Sequence, residues 1–150
     1  MATPPDPEQI SRLQNLFPRL AHFAIRGPAT VQYNCVAWAL GITTDWWWPG
    51  NLSCWPIRQR TARLEGFIAA FAAVGFEECA APEIEPGYEK IALYTRGGFP
   101  MHVARIESAL LWSSKIGGAE LIEHEPSALD GNEFGLPTHF FRRKSGARAP

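Results

Sequence analysis

The chain has 150 residues, 46% of them hydrophobic and 19% charged, which suits one globular domain with its own core and excludes an intrinsically disordered chain. Fourteen Lys and Arg against fifteen Asp and Glu leave a formal net charge of −1, so neither the basic excess of a general nucleic-acid binder nor that of a polybasic membrane-surface protein is present. No apolar run approaches the length of a membrane span, and the first residues, Met1 to Asp6, lack the basic and apolar regions of a signal peptide. Three widely spaced cysteines (Cys35, Cys54, Cys79) form neither a disulfide framework nor a metal clip. With no signal peptide, reduced thiols in the cytoplasm are the expectation.

In chain order, Asp6-Pro7-Glu8-Gln9 predicts a helix start with a capping box, and Ile10, Leu13, Leu16 and Phe17 supply its apolar stripe up to Pro18. Asn34 predicts a second helix cap, with Cys35 at the first helical position and Gly41 as the stop. Residues 42–60 lack periodicity and hold four of the six tryptophans, the pattern of a long ordered loop packed by indoles. Thr61 is expected to cap a helix carrying Leu64, Phe67, Ile68, Phe71 and Val74, ended by Gly75. Strands are then expected at 89–94 and 101–106, joined through Gly97-Gly98, with further strands at 110–114, 120–124 and 138–143. Helices first and strands second is the order of an α+β domain, with N-terminal helices packed on an antiparallel sheet built from residues 88–143. Residues 1–5 and 144–150 are expected to be loose ends of this single domain, 1–150.

Cys35 carries the strongest chemical signal. A thiol in the first turn of a helix lies near unpaired backbone N–H groups that favour its thiolate. The competing reading is a small buried hydrophobe among Val36, Ala37 and Trp38. His102, at a strand start after a Gly-Pro turn, is the candidate base that such a nucleophile needs. His124 is the first choice to orient it, with Ser114 between them in sequence. Asn34 and Gln32 flank the thiol as candidate oxyanion donors or orienting groups, and Asn34 reads equally well as a cap alone. Trp46, Trp47 and Trp48 are candidate substrate-binding residues. The histidines and cysteines show no metal-ligand spacing, so no metal and no cofactor is expected.

The run Tyr33-Asn34-Cys35-Val36-Ala37-Trp38-Ala39-Leu40-Gly41, with the later Met101-His102-Val103-Ala104-Arg105, resembles the Cys and His motifs of papain-like-fold hydrolases, closest to the NlpC/P60 and CHAP amidases. A wider pattern resembles a group of uncharacterised bacterial proteins. It comprises Asn34-Cys35, Trp46-Trp47-Trp48-Pro49, residues 85–94, His102, Trp112 to Gly117 and His124, and it carries no known activity. The first resemblance implies a papain-like fold, Cys35 as nucleophile and His102 as general base. It further implies a peptide or protein amide as substrate, with peptidoglycan peptides leading. The chain departs from that motif in having Gly87-Tyr88-Glu89-Lys90 where a Gly-Asp opening is usual, and in lacking an export signal, which points to a cytoplasmic substrate or a signal-peptide-independent route. The rival expectation is a non-catalytic binding or immunity-type protein that uses the Trp-rich loop as its surface. Neither reading gives nucleic acid or membrane as partner, and neither fixes the oligomeric state.

Overall fold

The computed structural model describes residues 1–50 and 52–146. Seven strands form one antiparallel sheet in the order β1-β6-β5-β4-β3-β7-β2. The strands are β1 (Phe23–Gly27), β2 (Glu77–Cys79), β3 (Tyr88–Arg96), β4 (Phe99–Ile106), β5 (Trp112–Lys115), β6 (Leu121–His124) and β7 (Leu136–Lys144). Three helices accompany them: α1 (Pro7–Leu16), α2 (Cys35–Ala39) and α3 (Leu64–Ala73). The expected α+β architecture is therefore present, and the sheet extends beyond residues 88–143 by the two edge strands β1 and β2.

The expected capping box forms at α1, where Asp6 Oδ1 accepts from the Gln9 N–H and the Asp6 N–H donates to Gln9 Oε1. Asn34 caps α2, its Oδ1 accepting from the Ala37 N–H at 3.2 Å. The expected Thr61 cap does not form. Arg63 occupies the N-cap of α3 without a side-chain hydrogen bond, and residues 61–63 stay outside the helix. Gly97 and Gly98, with φ of 60° and 85°, make the two-residue link between β3 and β4, where a type I′ turn needs two positive φ values.

Side-chain alternation along the central strands divides the core in two. Ile91, Leu93, Val103 and Phe141 face α2 and α3, where they pack with Cys35, Val36, Phe67 and Phe71. Ala92, Tyr94, Ala104 and Ile106 face the opposite side, where they pack with Leu13, Phe17 and Leu20 of the α1 region. The helices thus cover both faces of the sheet.

The ends are tied more firmly than the sequence suggests. Thr3 exchanges two backbone hydrogen bonds with Ile25, at 2.8 and 2.7 Å, and Lys144 belongs to β7. Residues 147–150 of the expected loose tail lie outside the described residues. Arg143, 1% exposed, donates to the carbonyls of Leu40 and Val74 and to Glu89. Leu40 and Val74 are the C-caps of α2 and α3, so one guanidinium satisfies carbonyls that both helices leave without partners.

Candidate active site

Asn34 builds the site's first wall. Besides capping α2, its side chain clamps the Trp-rich loop: Nδ2 donates to the Trp47 carbonyl at 2.8 Å, and Oδ1 accepts from the Trp47 N–H at 3.0 Å. The loop is ordered, as its indoles suggest. It closes on itself through Trp48 N–H to Cys54 O and Cys54 N–H to Trp46 O, and it packs through Trp48 and Trp55 edge-on against Phe67. Trp46, Trp47 and Trp48 are half-buried, not an open aromatic patch. Trp46 and Trp48 border a cleft of about 330 Å³ together with Asn34, Cys35, Met101 and His102, while Gly117 and Phe134 complete its lining.

Cys35 sits at the first position of α2 and is 6% exposed. Burial pushes its thiol up to about 11, against the opposing pull of the backbone N–H groups of Val103, Val36 and Cys35 and of the Lys115 charge. Desolvation therefore outweighs the helix terminus, and the resting sulfur is a thiol rather than the thiolate that the sequence suggests. Lys115, fully buried on β5, donates to the carbonyls of Thr30 (2.6 Å) and Gly117 (2.7 Å) and lies 4.9 Å from the Tyr33 ring centroid. Burial lowers its own affinity for a proton.

His102 belongs to a buried polar relay. Its Nε2 lies 2.9 Å from Ser114 Oγ, and Ser114 Oγ lies 2.8 Å from His124 Nε2. His124 Nδ1 lies 2.8 Å from the Glu125 carbonyl, an oxygen that only accepts. Burial lowers the His124 pKa to about 4, so the ring is neutral near pH 7 and carries its proton on Nδ1. Its Nε2 then accepts from the Ser114 hydroxyl, whose oxygen in turn accepts from His102 Nε2–H. The relay fixes the tautomer of His102 and leaves Nδ1 with a free lone pair. That atom is buried and has no hydrogen-bond partner. Burial, reinforced by His124, holds His102 well below the usual imidazole range, so it too is neutral. Phe134 stacks on the His102 ring at 4.1 Å and 1°, and Tyr94 meets it edge-on at 5.1 Å.

The structure brings Cys35 and His102 to one cleft from opposite sides of the sheet. His102 shares its face with Tyr94 and Phe134, whereas Cys35 packs on the Val103 face. The two faces meet here because the β4–β5 ladder pairs only Arg105 with Ser113 and Ile106 with Trp112, leaving β4 unpaired on that side from Met101 to Ala104. No hydrogen bond joins the thiol to Nδ1 in this resting geometry. Ser114 and His124 fall in the relay, with Ser114 as the connecting atom. Gln32 is exposed and does not border the cleft, and Asn34 serves as cap and clamp. Among the described residues no group of three or more His, Cys, Asp or Glu could hold a metal ion, and no helix is long and apolar enough to cross a membrane. Met101, Gly117, Phe134 and Lys115 are the site residues that sequence reasoning missed. Met101, Lys115 and Gly117 lie within the resembling runs 101–105 and 112–117 and Phe134 in neither, but only register and packing place the four at the site.

No curated protein and no solved structure matches the chain. The model of one family covers residues 24–142, a span that runs from Ala24 in β1 to Arg142 in β7 and takes in the strands between them, α2, α3, the relay and the cleft. The chain belongs to that family, described as a domain of unknown function, DUF7689.

Proposed function

We propose that the protein is a cysteine hydrolase or amidase that cleaves or transfers at an amide bond of a peptide or protein side chain, on a papain-like arrangement of helix-borne Cys and strand-borne His. The observation that supports this reading best is the unpartnered Nδ1 of His102, held as a base by the Ser114–His124 relay, on the cleft that Cys35 borders.

The chemistry starts from a neutral pair. As the carbonyl enters the cleft, the Cys35 S–H proton passes to His102 Nδ1 while Sγ attacks the carbonyl carbon. Collapse of the tetrahedral intermediate breaks the C–N bond, and the imidazolium returns its proton to the leaving amine. Water then attacks the thioester, losing a proton to Nδ1, and release of the acid restores the thiol. Transfer to a second amine follows the same course with the amine in place of water. The step requires the sulfur and Nδ1 to close up when substrate binds, a tightening that resting enzymes often need.

The test is turnover of amide substrates by the wild-type protein against Cys35→Ala and His102→Ala. Peptidoglycan fragments and glutamine-containing proteins represent the two substrate classes. Trapping an acyl adduct on Cys35 by mass spectrometry supports the reading. Full activity of Cys35→Ala on a substrate that the wild type turns over removes it.

A further inference from the structure

Building on the proposed thiol chemistry, we infer that the cleft takes a peptide with an uncharged, apolar side chain beside the attacked carbonyl. Its walls are Trp46, Trp48, Met101 and Phe134, and none of the described residues lining it is charged. A charged side chain entering such walls gives up hydration without gaining an ion partner. The volume of about 330 Å³ is at the low end for small-ligand sites, room for a side chain or two rather than a long acyl chain.

The cleft residues are close in sequence to exposed apolar ones: Leu52 follows Trp48, Phe99 precedes Met101 and Leu136 follows Phe134. Val31 is exposed as well and packs near Gly118, next to Gly117. A peptide with apolar residues on either side of the bond meets this border. The acidic and diamino residues of wall peptides do not. The competing outcome is that the buried Lys115 ammonium draws in a carboxylate.

The experiment treats the full chain with peptidyl acyloxymethyl ketones bearing Leu, Phe, Glu or Lys next to the electrophile. The Cys35 sulfur displaces the carboxylate leaving group to form a thioether, and mass spectrometry locates the adduct on Cys35, Cys54 or Cys79. Leu and Phe probes are expected to label Cys35 at least about tenfold faster than Glu or Lys probes. In Cys35→Ala, acetyl-leucinamide is expected to bind about tenfold more tightly than the Glu or Lys analogues, read by tryptophan fluorescence. Trp46→Ala, its fold checked by thermal unfolding, is expected to narrow both ratios. Equal rates, or a preference for Glu or Lys, overturn the inference while the thiol reading stands. Labelling of Cys35 by no probe, with Cys54 labelled, overturns both.

Discussion

Two neutral histidines buried side by side make the fold sensitive to acid in a defined window. His124 has a folded pKa of about 4 against the ordinary 6.5, and His102 is also depressed. Each gains a proton on unfolding below pH 6.5, so stability is complete above that pH and falls as pH drops toward the folded pKa. For one such histidine the loss between pH 7 and pH 5 is about 2 kcal/mol, since each full unit of difference is worth about 1.4 kcal/mol. His102 adds to this loss in the same direction, so acid removes a sizeable share of a typical domain's roughly 5–15 kcal/mol. Urea unfolding followed by tryptophan fluorescence at pH 7, 6 and 5 measures the slope. His124→Gln should reduce the loss between pH 7 and pH 5 by that histidine's share, about 2 kcal/mol, whatever its effect on absolute stability. Carboxylates held low, such as Glu120 beside Arg12, act mainly near pH 4.5 and below, and they are common to both proteins. Equal slopes in wild type and variant would refute the neutral relay and with it the tautomer assigned to His102.

Ser114→Ala should leave two buried ring nitrogens without partners, costing about 2–4 kcal/mol in chemical unfolding, and should lower amide turnover by a factor on the order of 10² or more through loss of the His102 tautomer. Small neutral alkylating agents at pH 7 should modify exposed Cys54 before buried Cys35, and Cys35 modification should climb steeply toward pH 11; intact-mass kinetics at several pH values read both. Gly135→Ala should be among the most destabilising single changes, because φ is +78° and a Cβ there would run into the Thr95 carbonyl; a fall of several degrees in Tm is expected, whereas Gly50→Ala, with open space around it, should change little.

The parts of the fold legible in sequence were those fixed by local chemistry. Asp6 with Gln9, Asn34 before Cys35, and the paired glycines 97 and 98 each dictate their own backbone. The two edge strands were not legible for opposite reasons. Every residue of β1 is half-buried, so no alternation marks it, and β2 is Glu77-Glu78-Cys79, whose two charged residues stay exposed even when the strand is paired with β7. Thr61 misled because a good capping residue is no cap unless the next turn is helical. At the site, Cys35, His102, Ser114 and His124 could be singled out by type. Their connectivity could not, because it depends on which face each strand residue takes and on where the β4–β5 ladder stops. The same register put the thiol and the imidazole on different faces, which no spacing in the sequence reveals.

The position of Arg143 bears on the order in which the molecule can assemble. Its guanidinium closes off the carbonyl ends of two helices formed more than sixty residues earlier, and its strand is inserted between β3 and β2. On a ribosome, α2 and α3 would therefore emerge long before the group that finishes them. Residues 77–79 would wait for their only neighbour in the sheet. Such a nascent chain would remain incomplete, with the Cys35 segment unsecured, until β7 had been made, so this late strand acts as the latch on two helices and a sheet edge.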